Sequence, residues 1–172
     1  MALYRAVLGA SAEALLRFDL SFQEHVDRGF ADNAGWLDVT HGVTFANAVR
    51  QQCTKFPSLW PQGLLQVALQ CGRNAGFRDA RIEDARWQVM DPEAFFGAEI
   101  ARLFDHGREE FIVSVHLLKT LLAAREEVIS GAAGEAASLV LAGVNRFLHS
   151  PAKRKHVRRT ARQALDFVAL DG

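Results

Sequence analysis

The sequence predicts an all-α fold, a compact bundle of about seven helices, and three observations carry that expectation. Apolar residues recur at spacings of three and four almost throughout the chain. Runs of β-branched residues in strict alternation, the mark of half-buried strands, are nearly absent. Candidate helix ends coincide with Ser, Asp, Pro and Gly at the positions where capping and backbone geometry favour them.

Taken in order, a short helix is expected over Leu3 to Leu8. Ser11 is placed to cap a longer one with the stripe Leu15, Phe18, Phe22 and Val26, ending at Arg28-Gly29. Asp32 or Asn33 opens the next, which runs through Trp36, Leu37, Phe45 and Val49 to about Cys53, with Pro57 closing it. Pro61 suits the first turn of a helix over Leu64 to Gly72. Residues 74–90 lack a clear period and are expected to form a long connection. Asp91-Pro92-Glu93 is a helix start: the aspartate caps, the proline needs no donor there, and the glutamate favours the positive end of the dipole. That helix should end near Asp105-His106-Gly107, and the next should run from Arg108 to Ile129. Gly131 and Gly134 bracket a turn into a helix over Glu135 to His149, and Ser150-Pro151 is expected to launch the last, to about Ala169.

The 172 residues fit one domain, 1–172, without internal repeats or a low-complexity linker. Hydrophobic residues make up 49% and charged residues 23%, enough apolar material for a core. Twenty basic and twenty acidic residues cancel, so no global field draws the chain to a polyanion. Cys53 and Cys71 are too few for a thiolate zinc site or a disulfide framework. No stretch reaches the roughly 20 apolar residues of a membrane span, and a cytoplasmic location is expected. Phosphate loops and nucleophile elbows are missing, which leaves nucleotide-driven and serine-nucleophile chemistry without support.

The residues able to carry chemistry are few. Asp38 and His41 lie three apart, and His41 falls between Leu37 and Phe45, so an inward-facing carboxylate and imidazole pair is expected. Glu109 and His116 lie seven apart, two turns along one helix. If the two helices pack together, Asp38, His41, Glu109 and His116 supply a facial set of metal ligands, suited to a divalent metal such as iron. His41 and His116 are then the catalytic imidazoles, and Asp38 and Glu109 are ligands or orienters. The plainer role for such histidines is a hydrogen bond that satisfies a polar group among apolar neighbours. A four-helix di-iron centre would need paired Glu-x-x-His motifs, which are missing. His25 and His106 fit better as cations near helix C-termini.

The last helix begins with Lys153, Arg154, Lys155, Arg158, Arg159 and Arg162. Cations at the positive end of a helix dipole invite an anionic partner. The plainer reading is a solvated face or an intramolecular salt network; an acidic protein surface or nucleic acid is the alternative, and no aromatic residues are interleaved for base stacking.

The stretch Trp36-Leu-Asp-Val-Thr-His-Gly-Val-Thr-Phe-Ala-Asn-Ala-Val49, with His116-Leu-Leu-Lys-Thr120 and Ser150-Pro-Ala-Lys-Arg154, resembles questin-oxidase-like proteins and the helical regions that follow Rieske-type iron-sulfur domains. The resemblance covers about a third of the chain, and it implies oxygenase-type chemistry on a bulky organic molecule with His41 and His116 near the working site. No cluster ligands are present, so the chain would act as a helical domain beside a redox partner. Two functional expectations follow. One is an oxidoreductase that binds or oxidises a small apolar substrate at a buried His and carboxylate site, and the other is a noncatalytic module that docks through its basic C-terminal helix.

Overall fold

The structure is a computed structural model that describes residues 1–24, 34–104, 111–151 and 156–170, apart from the side chains at 24, 111, 112, 156–160, 162 and 163. Eight α-helices lie among the described residues: α1 (Ala2–Leu16), α2 (Ser21–Glu24), α3 (Trp36–Lys55), α4 (Trp60–Asn74), α5 (Pro92–Phe104), α6 (Phe111–Ile129), α7 (Ala137–Leu148) and α8 (His156–Leu170). The all-α expectation holds, and the extended pairing among the described residues is one isolated bridge between Phe18 and Arg78.

Helix α1 is the hub, packing on α7, α3 and α4, while α3 also packs on α4 and α6, and α6 on α5 and α7. Its stripe of Tyr4, Leu8, Ala12 and Leu15 is almost wholly buried. It meets Val140, Leu141, Val144 and Phe147 of α7 in one core. Each aliphatic side chain so buried contributes roughly 1.5–3 kcal/mol relative to exposure. Glycine sets the closeness of two crossings. A Cβ on Gly143 would lie 3.0 Å from the Ala12 carbonyl oxygen, and one on Gly63 would lie 2.6 Å from Val49 Cγ1.

The expected break at Ser11 does not occur: α1 runs unbroken from Ala2 to Leu16. Ser11 is buried in mid-helix, where its hydroxyl lies 3.2 Å from Cys71 Sγ of α4. The apolar stripe passes through Ser11 without a change of phase, so tertiary packing overrides its capping preference. The break comes at Arg17, whose guanidinium reaches the Ala80 and Ile82 carbonyls and pairs with Asp84. Two backbone hydrogen bonds, Asp19 N to Phe77 O and Asp79 N to Arg17 O, tie the same segment to the 75–90 connection. That connection is irregular as expected, with single 3-10 turns at Ala75–Phe77 and Asp84–Trp87.

A buried cation completes this end of the bundle. Arg146 of α7 is 2% exposed, donates from Nη1 to the carbonyls of Leu16 and Phe18, and lies over the Trp36 ring. The Leu16 carbonyl ends α1 and the Phe18 carbonyl lies just beyond it, so the guanidinium satisfies acceptors that no further helical turn can reach.

At α5 the expected start is present: Asp91 Oδ1 accepts from the Ala94 backbone N–H at 3.0 Å. Gly131 and Gly134 adopt φ of 73° and 54° between α6 and α7, a left-handed backbone that glycine enters at little cost. Ser150 behaves otherwise than expected. Its hydroxyl donates to the Arg146 carbonyl at 2.6 Å, closing α7 rather than opening α8. The expected ends at Arg28-Gly29 and Asp105-His106-Gly107, and the start at Asp32 or Asn33, lie outside the described residues.

Candidate functional site

Helix α3 has two working faces. Trp36, Val39, Val43 and Ala46 are buried against the core. Roughly half a turn away, His41, Phe45 and Ala48 are exposed along a groove shared with α6. His41 is therefore not an inward-facing core residue: Leu37, His41 and Phe45 share a period, but it is the period of the groove side.

The groove has a volume of about 740 Å³, within the usual range for small-molecule sites. Phe45, Ala48, Leu122 and Ala123 give it apolar walls, and His41, Thr44, Lys119, Gln70, Asn47 and Glu126 are its polar lining. The helices run in the same direction here, since His41 meets His116 near their first turns while Asn47 and Arg50 meet Glu126 and Glu127 further along.

At one end the two imidazoles face each other. His41 Nε2 and His116 Nε2 are 3.3 Å apart, with the ring planes at 53°. Burial against α6, then the nearby positive charge of Lys119, then His116 hold the His41 pKa below 6.5, against an opposing pull from Asp38. These surroundings favour the neutral imidazole of His41, and one of the two facing Nε2 atoms can donate a hydrogen bond to the other, the roles following the tautomers. Thr120 donates its hydroxyl to the His116 carbonyl at 2.7 Å, closing a local hydrogen bond on the same turn of α6.

Asp38 is not joined to His41. Its Oδ2 accepts from Gly35 N–H at 2.8 Å, the one half of a capping box that a glycine N-cap permits, and its Oδ1 accepts from Arg73 of α4 at 3.1 Å. A carboxylate in the first turn is stabilised by the helix dipole and by orphan donors, so local demands claim it before the imidazole can. Glu109, His25, His106, Lys153, Arg154 and Lys155 lie outside the described residues, as do the side chains of Arg158, Arg159 and Arg162. His149 is bonded at Nδ1 to the Asn145 carbonyl and lies 3.5 Å from Glu99. Among the described residues no group of three or more His, Cys, Asp or Glu is placed to hold a metal ion. The expected four-ligand set is thus seen as two: His41 and His116 meet, and Asp38 is engaged elsewhere.

The other end of the groove holds a cluster that sequence reasoning missed. Glu127 is fully buried and accepts from Arg50 Nε at 2.7 Å and Asn47 Nδ2 at 2.8 Å. Glu126, at the groove edge, accepts from Arg50 Nη2 at 2.9 Å and Asn47 Nδ2 at 3.2 Å. Burial first, and the Glu127 charge second, push the Tyr4 phenol well above its usual range. Burial opposes the charge on Arg50, yet its bonds to Glu127 and Glu126 outweigh that and raise its pKa further. The signal was in the sequence. Glu127 continues the stripe Leu117, Thr120, Leu121 and Ala124 at helical spacing, and a charged residue on a core stripe demands a partner.

Among the described residues no helix is long and apolar enough to cross a membrane. No protein-family model, curated protein or solved structure matches the chain.

Proposed function

We propose that the α3–α6 groove receives an apolar small organic molecule, and that His41 and His116 hold a divalent transition metal such as iron at its end, for metal-assisted oxidation or binding of that molecule. The observation that carries this reading is the 3.3 Å separation of the two Nε2 atoms. Metal–imidazole bonds of ~2.0–2.1 Å opened to a tetrahedral angle place two nitrogens about 3.3 Å apart, so the rings need little movement to chelate. In the absence of metal the same spacing serves an N–H···N hydrogen bond between the two rings, and a cation would take the place of that proton.

Imidazole suits iron, zinc and copper alike, and two protein ligands leave positions open for water or substrate. A bound metal would supply Lewis acidity or redox chemistry at the groove end. The protein's own part is described by its residues: Phe45 and Leu122 offer an apolar wall, Lys119 disfavours protonation of His41, and Thr120 closes a hydrogen bond on the turn that carries His116. Glu109, expected two turns before His116, is the natural third ligand to test. The resemblance to questin-oxidase-like proteins points to the same two histidines.

The test is elemental mass spectrometry on protein purified without chelator or nickel resin, followed by titration with Fe(II) and Zn(II). Wild type should carry or take up one equivalent, His41→Ala and His116→Ala should take up none, and Glu109→Ala should weaken uptake. Stoichiometric metal retained in both histidine variants, or none taken up by wild type, rejects the site.

A further inference from the structure

Helix α8 differs from the other long helices in having no buried side on view: residues 161 and 164–170, all of those described, are exposed. Leu165, Phe167, Val168 and Leu170 are 71%, 60%, 70% and 82% exposed. Ala161, Ala164, Leu165 and Val168 follow the spacing of a single helix face and form an open apolar stripe, while Phe167 and Leu170 project away from it. Within the helix the sequence sets Arg158, Arg159 and Arg162 against the single carboxylate of Asp166. Lys153, Arg154 and Lys155 precede it in the sequence.

A basic helix with an open apolar stripe has two requirements, anions for its cations and an apolar medium for its stripe. Nucleic acid meets the first and leaves Leu165, Phe167, Val168 and Leu170 in water. A protein groove can meet both, but only where its shape and charge match this one helix face. An anionic lipid surface meets both and demands no matching groove, because its headgroups attract arginine and its acyl boundary accepts any apolar side chain. We infer that α8 is a membrane-surface helix that places the domain on anionic lipid, with Leu165 and Val168 entering the acyl boundary and the arginines at the headgroups. This concerns a surface remote in sequence from the α3–α6 groove and does not depend on the metal reading.

The experiment is co-sedimentation of the full chain with vesicles of phosphatidylcholine alone and with phosphatidylserine added, at low and high salt. Partitioning should be about tenfold or more stronger on the serine-containing vesicles and should fall with salt. The double variant Leu165→Gln, Val168→Gln and the triple variant Arg158→Gln, Arg159→Gln, Arg162→Gln should each lose most of it while melting at the wild-type temperature. Equal binding to both vesicle types, or anionic binding indifferent to Leu165 and Val168, overturns the inference. So does self-association that disappears in the Leu165, Val168 variant without any vesicle binding, which would assign the stripe to a second copy. Tighter binding to a duplex oligonucleotide than to anionic vesicles, again indifferent to Leu165 and Val168, would assign the helix to nucleic acid.

Discussion

Glu127 and Glu126 are neighbours in sequence with opposite fates, and the difference is one of angle. Glu127 falls on the buried side of α6 and must be compensated there, whereas the Glu126 side chain is 42% exposed. Removing the buried partner should therefore cost far more. Glu127→Ala is expected to destabilise the fold by about 3 kcal/mol, the low end for a broken buried pair because Glu126 still holds Arg50. Glu126→Gln should cost under ~1 kcal/mol. Urea midpoints of the two variants at neutral pH measure the contrast.

His41 provides a second residue-scale prediction, in pH. Its folded pKa lies below the unfolded value of 6.5, so between the two the unfolded chain binds a proton that the folded chain does not. The stability conferred is complete above 6.5 and declines as pH falls through that value toward the folded pKa. In His41→Gln this component vanishes, so the drop in urea midpoint between pH 7.5 and pH 5.5 should be smaller than in wild type. An identical drop in both proteins would mean that His41 titrates as it does in the unfolded chain. Metal uptake by the pair should likewise weaken with acid, since protons compete for the same nitrogens.

Between elements, the spacing of helices is set by what glycine leaves out. Gly143 lets α7 approach the α1 backbone, and the atoms a methyl would meet there are the Ala12 carbonyl oxygen and, at 3.3 Å, the Leu16 nitrogen. Backbone cannot rotate aside, so Gly143→Ala should destabilise by about 1–3 kcal/mol through forced separation of α1 and α7. Gly97, inside α5, would meet nothing within 4 Å. Gly97→Ala should stabilise by up to ~1 kcal/mol, because alanine favours helix and restricts the unfolded chain. Thermal melts of the two variants, shifted in opposite directions, check the assignment. Helix starts were legible where the signal was dense: Asp91-Pro92-Glu93 combines three local preferences, and the structure begins α5 there. Ser11 and Ser150 show the limit of a single residue. The same hydroxyl that caps a helix also bonds inside or after one, and the neighbours that decide, Cys71 for Ser11 and the Arg146 carbonyl for Ser150, cannot be read from the capping pattern.

Across the whole molecule, protection should follow the layering. The α1, α3 and α7 segments carry most of the buried residues, while residues 161 and 164–170 of α8 are exposed. Native-state hydrogen exchange should find the slowest amides in α1 and α7 and the fastest helical amides in α8, which should slow on anionic vesicles. Uniform protection across all eight helices would contradict that order.

What the sequence by itself determined was the local part. Helices arise from hydrogen bonds four residues apart, and their faces arise from a 3.6-residue period, so class, approximate spans and the suspicion attached to His41 and His116 all lie within short windows. Only the tertiary structure decided which faces meet. It set α3 beside α6 in the same direction, brought two imidazoles 75 residues apart to 3.3 Å, turned His41 to the groove instead of the core, and gave Asp38 to Gly35 and Arg73. The physical reason is that periodicity assigns each helix a buried stripe but leaves its neighbour open. Close crossings of α4 on α3 at Gly63 and of α7 on α1 at Gly143, with the Arg50–Glu127 pair between α3 and α6, select one arrangement among many that the same stripes permit.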